Sequence, residues 1–162
     1  MAEKLKIEVF RNKNCVFKAL AINDIVVSHG VRSGTVRFSL YIDKDFVYEC
    51  DSDGMIFSTP TGSTAYALSA GGPVVDPSLN CLLITPVCPH SFHFSRTILV
   101  DENKTVSSEI YCRDDVYITV DGHFNEKLSN GDIVSVRKSD ETVSLLRIND
   151  KHFCNVLSEK IK

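Results

Sequence analysis

Hydroxyl and glycine residues crowd one stretch of this chain and make a corner where a polar ligand can meet backbone. Between Asp53-Gly54 and Gly71-Gly72-Pro73 lie Ser58, Thr59, Thr61, Ser63, Thr64, Tyr66 and Ser69, with a Pro60-Thr61-Gly62 turn among them. A helix over 63–69 would offer free amides at its N-terminus beside these hydroxyls, a combination suited to the polar groups of a ligand. Thr61 or Ser63 can cap that helix. A capped helix between two turns accounts for Thr61, Gly62 and Gly71 but leaves the other hydroxyls without a role. No lysine follows the glycine, so the run is not a P-loop. Asn23-Asp24, Asp53-Gly54 and Asp121-Gly122-His123 are also chemically capable, although each alone reads as a turn.

The surrounding pattern is mostly strand. Strands are expected at 5–11 and 15–20 as a hairpin around Asn12-Lys13-Asn14, then at 24–28, 34–42, 46–50 and 54–58. Further strands are expected at 81–85, 97–100, 105–112, 116–120, 133–137 and 142–146, with Asn130-Gly131-Asp132 as a turn. Between them, Ala65, Leu68 and Gly72 share a helical face, and Gly71-Gly72-Pro73 ends the helix. The last segment, 150–162, places Phe153, Val156, Leu157 and Ile161 at the spacing of an amphipathic helix. About ten short strands with one central helix predict a mainly β, sandwich-like domain over 1–149 and a helical tail over 150–162. Long alternating helices are absent, which argues against a Rossmann unit.

Composition excludes several classes. A chain of 162 residues builds one domain with a real core. Its formal charge of −3 gives no case for nucleic acid or an anionic membrane as partner. No apolar run is long enough to span a bilayer and the N-terminus lacks the apolar core of a signal peptide, so a cytoplasmic location is expected. Cys15, Cys50, Cys81, Cys88, Cys112 and Cys154 are scattered, without a C-x-x-C pair, and read as buried reduced thiols. Cys88-Pro89-His90 with His93 matches no common zinc spacing, and no metal site is expected.

Taken in order, these segments resemble the second half of NAD kinases. The run D-G-M-I-F-S-T-P-T-G-S-T-A-Y-A-L-S-A-G-G-P is similar to the family's central motif. Ile84-Thr85-Pro86-Val87-Cys88-Pro89-His90 resembles the I-T-P-[IV]-C-P-H that follows it there. A-L-A-I-N-D over 19–24 resembles A-L-N-[ED], and Val120-Asp121-Gly122-His123 stands where the family has V-D-G-[QH]. The resemblance implies transfer of a phosphoryl group from ATP or polyphosphate, with Mg2+ or another divalent cation, to the 2′-hydroxyl of the adenosine ribose of NAD, giving NADP.

It further implies a domain of a two-domain enzyme. NAD kinases place the active site between an N-terminal α/β domain and a C-terminal β-sandwich, and the likeness here is to the latter. The N-terminal domain carries a G-G-D-G-T loop whose aspartate acts as general base, and no such run occurs in these residues. The chain is therefore expected to bind NAD without catalysing by itself, and its tail to return toward the N-terminal domain. Carried over by position, Asn23 and Asp24 would hold ribose hydroxyls, and Asp53 would line the dinucleotide pocket. Thr61, Thr64 and Ala65 would pack around the adenine edge, Tyr66 would form an aromatic wall, Ser69 lies a turn later, and His123 stands near the ligand. Many members carry a basic residue two positions before the Asp-Gly; here it is Asp51. Self-association to a homo-dimer or homo-tetramer is expected. The alternatives are a dinucleotide sensor without catalysis, a lipid-kinase-like domain sharing the two-domain plan, and a sandwich with a vestigial pocket.

Overall fold

A computed structural model describes residues 2–30, 34–90, 96–144 and 153–160. Alternating apolar residues give strands with one inward face, and two antiparallel sheets of six strands form. The first sheet runs β2 (Asn14–Ala21), β1 (Ala2–Arg11), β12 (Ile133–Val143), β9 (Val106–Tyr111), β4 (Val36–Ile42) and β5 (Asp45–Ser52). The second runs β11 (Phe124–Leu128), β10 (Val116–Val120), β3 (Asp24–His29), β6 (Gly54–Ser58), β7 (Cys81–Val87) and β8 (Ile98–Asp101). One apolar core spans both. Ile7, Val9, Phe38, Leu40, Ile110 and Val134 of the first sheet meet Ile25, Val27, Met55, Phe57, Ile84 and Ile118 of the second. The expected sandwich is the observed architecture.

The second sheet positions the site because both its faces are covered around β6. Met55 and Phe57 point into the main core, while Ile56 joins Val26 and Ala67 in a second apolar cluster on the outer face. That cluster seats α1 (Tyr66–Ser69) on the sheet, which is why every residue of β6 is buried. Gly72 closes the element: its N–H donates to the Ala67 carbonyl at 2.9 Å, and an added Cβ would sit 2.8 Å from that same oxygen.

Several boundaries differ from the sequence reading. The helix expected over 63–69 is a 3-10 turn, Thr61–Thr64, followed by α1, with Ala65 breaking the path at φ −97°, ψ −129°. Neither Thr61 nor Ser63 caps it; the Thr59 hydroxyl instead accepts from the Gly62 N–H at 3.0 Å. β11 has no counterpart in the reading, because Phe-Asn-Glu-Lys-Leu lacks apolar alternation and is held as an edge by pairing with β10. Strands expected at 133–137 and 142–146 are one strand through Val143. Its polar middle is retained by the ladder to β1 and by ion pairs of Lys138 with Glu3 and Glu102, both at 2.7 Å. Residues 145–146 and the domain boundary set at 149–150 lie outside the described residues, and the tail forms α2 (Phe153–Lys160). Of the six cysteines only Cys50 is buried; Cys15, Cys88 and Cys154 are exposed, because they stand on an edge strand, a turn and the tail helix.

Candidate functional site

The site is built on the loop that opens β3. Its backbone is gripped from two sides. The carboxylate of Asp121, on the turn between β10 and β11, accepts the amide protons of Ile22 (2.8 Å), Asn23 (2.8 Å) and Asp24 (3.1 Å). From the other side the Thr59 hydroxyl donates to the Ile22 carbonyl at 2.7 Å, and the Thr59 N–H donates to that of Asn23 at 3.0 Å. Gly62 presses on the same loop; a Cβ there would overlap the Asn23 carbonyl oxygen. With its backbone groups satisfied in this way, the loop has a defined path, and the Asn23 and Asp24 side chains are left to face outward.

They face a concavity of about 420 Å³ lined by Asn23, Asp24, Val26, Ser28, Ala65, Tyr66, Thr119, Asp121 and Gly122. Its floor is the outer face of the second sheet, where Asp24, Val26 and Ser28 alternate along β3 and Thr119 stands beside Val26 on β10. Tyr66 forms part of the rim and is 46% exposed. Asp24 is only 6% exposed. Burial foremost, and the Asp121 charge second, raise its carboxyl above the ordinary aspartate range, against the opposing effect of a hydrogen bond from the Tyr66 backbone N–H. Ser58, paired opposite Asp24 on β6, is fully buried, and its hydroxyl has no partner among the described residues.

Four of the nine residues singled out from the sequence come together here: Asn23, Asp24, Ala65 and Tyr66. Thr61 and Thr64 are half-buried in the 3-10 turn and Ser69 is exposed at the end of α1, none of them lining the concavity. His123 is exposed one residue beyond the lining residue Gly122. Asp53 stands just before the far end of β6, ~17 Å of strand from Ser58, where its carboxylate meets His90 Nε2 at 3.3 Å. Asp51, in place of the usual basic residue, is paired with Arg37 at 2.9 and 3.2 Å. Of the crowded hydroxyls, Thr59 and Ser63 hold backbone: Ser63 accepts from the Val75 N–H at 3.0 Å. In the sequence Asp121 stands out only as part of a chemically capable turn and not as a site residue, and the sheet floor of Val26, Ser28 and Thr119 was not read as part of a site. The i, i+2, i+4 alternation from Asp24 was the available signal for that floor. Cys88 is exposed and His93 lies outside the described residues; among the described residues no group of three His, Cys, Asp or Glu side chains gathers to hold a metal.

The architecture is a β-sandwich whose outer face carries a buried carboxylate, Asp24, beside the half-exposed ring of Tyr66. Residues 22–148 match the ATP-NAD kinase C-terminal domain, and the chain belongs to that family. The NAD kinase of Nitrosomonas europaea is 39% identical over 97% of this chain and 53% of its own length. That of Thermoanaerobacter sp. is 39% identical over 97% and 56%. The chain thus spans about half the length of the curated relatives it matches. Among solved structures, yeast NADH kinase complexed with NADH superimposes with a TM-score of 0.80 at 32% identity, over 85% of this chain and 40% of that one. An NAD kinase from Archaeoglobus fulgidus in complex with ATP gives 0.80 at 26% identity, over 98% and 59%.

Proposed function

We propose that this chain is the dinucleotide-holding domain of a cytoplasmic NAD kinase, the enzyme that phosphorylates the adenosine 2′-hydroxyl of NAD to give NADP. The juxtaposition of Asn23 and Asp24 with Tyr66 around one concavity carries the reading. A carboxylate accepts from vicinal ribose hydroxyls, as in other dinucleotide sites. The adjacent ring supplies a wall for the base. Family membership supports it, as do NADH and ATP in the two solved relatives. His123, Thr61, Thr64, Ser69 and Asp53 are proposed to approach the ligand from the rim or from another copy, in a homo-dimer or homo-tetramer.

ATP is the proposed donor, with polyphosphate as the other candidate. A divalent cation would neutralise charge on the donor phosphates; among the described residues no group of three His, Cys, Asp or Glu side chains gathers to hold it. The proton leaving the 2′-hydroxyl needs a base, which the family places in a G-G-D-G-T loop that these residues lack. The chain alone is therefore proposed to hold substrate without turnover.

Calorimetry with NAD and NADP tests this. Saturable binding is expected, weakened by about 1–3 kcal/mol in Tyr66→Ala. No heat even at millimolar ligand, or an unchanged affinity with a lowered melting temperature in Tyr66→Ala, counts against it.

A further inference from the structure

Asp121 does more than shape its own turn. An aspartate in a turn ordinarily bonds its own backbone a residue or two on. Here both carboxylate oxygens reach across to a loop about a hundred positions earlier in the chain, Oδ2 taking the Ile22 amide and Oδ1 those of Asn23 and Asp24. The contact is reciprocal, since the Asp121 N–H donates to the Asp24 carbonyl at 3.0 Å. Asp121 also lines the concavity beside Asp24. A carboxylate placed against a second, buried carboxylate is unfavourable unless its own hydrogen bonds offset it.

We infer that Asp121 is the positioning residue of this site: by taking three amide protons it sets the direction in which Asn23 and Asp24 meet a ribose. The inference rests on the NAD-binding reading above. Asp24 also feels Asp121 electrostatically. Of the groups facing Asp24, Asp121 supplies the charge, α1 supplies the Tyr66 backbone N–H, and β6 supplies the uncharged Ser58. A residue serving only the turn would leave the proton affinity of Asp24 where it is.

Asp121→Asn is the variant of choice. The turn has φ 47° at Asp121 and 72° at Gly122, a conformation that asparagine adopts readily. The amide keeps an oxygen acceptor but turns an NH2 toward a backbone N–H. NMR of the carboxyl carbons in the ligand-free full chain is expected to show Asp24 titrating at lower pH in the variant than in the wild type. NAD affinity at neutral pH should fall about tenfold, the loss of one charge-assisted hydrogen bond, and its decline on acidification should move to lower pH. In the wild type, the amides of Ile22, Asn23 and Asp24 should be protected from hydrogen exchange, a readout that does not depend on the variant folding. Free exchange of those amides overturns the inference. So does a variant with lowered melting temperature but unaltered Asp24 titration and NAD affinity. Failure of the wild type to bind NAD would instead sink the kinase reading, and the titration and exchange data would still decide the role of Asp121.

Discussion

Asp24 is the residue in which the proposed function and stability pull apart. Its carboxyl is raised by burial and by Asp121, so the folded protein binds its proton more tightly than the unfolded chain does. Stability therefore falls as pH rises from the ordinary carboxylate range through the raised value, and the charged form is carried at a cost at neutral pH. Asp24→Asn should raise the melting temperature at pH 7, with the gain vanishing below about pH 4, while NAD affinity drops. Thermal scans across pH beside calorimetry check both halves; a variant less stable at pH 7 would mean that the carboxylate is a net stabiliser. The place of Asp24 at this concavity was legible only through the likeness of Asn23-Asp24 to the family's asparagine–acid pair, since the pair alone reads as a turn. That of Asp121 was not, because its partners are distant in sequence and an Asp-Gly pair looks like any hairpin turn.

At the scale of elements, the T-P-T-G-S-T corner works chiefly as a buttress. Thr59 bonds the loop before β3, Ser63 bonds Val75, and Gly62 permits the close approach to Asn23. Gly62→Ala should cost at least about 2 kcal/mol through overpacking and should weaken NAD binding by displacing Asn23; full retention of both stability and affinity would show that the corner and the loop do not depend on each other. The sequence marked this segment as special from its density of hydroxyls, yet hydroxyls that hold backbone and hydroxyls that face ligand look alike in a string of letters. Period likewise revealed the apolar strands but not β11, whose polar residues are fixed only by pairing with β10. The continuous burial of β6 becomes intelligible once α1 is seen to cover its outer face.

At the scale of the whole molecule, the two turns that flank the end of the sandwich are joined by one half-buried pair. Arg11 closes on Asp132 with two 2.8 Å bonds, and Asp132, fully buried, also accepts from the Ser129 N–H at 2.8 Å. Burial pushes the Asp132 carboxyl upward, but the guanidinium and the amide outweigh it and hold it below the usual range. The pair thus stabilises above the unfolded aspartate value and loses its effect as pH falls below about 4. Arg11→Ala leaves the buried Asp132 with the Ser129 amide and should destabilise by about 1–3 kcal/mol at pH 7, and the difference from wild type should shrink in acid; denaturant melts at two pH values check this. No helix among the described residues is long and apolar enough to cross a membrane. The sandwich itself was readable from strand count and turn spacing, whereas the division into two sheets of six depends on pairings between distant segments. NAD binding is proposed on one face of that sandwich. An NMR titration of the isotope-labelled chain with NAD tests it most directly: shifts should concentrate at Asn23, Asp24, Ala65, Tyr66, Thr119 and Asp121, whereas shifts centred on a second groove, of about 680 Å³ beside the Arg37–Asp51 pair, or none at millimolar NAD, would contradict it.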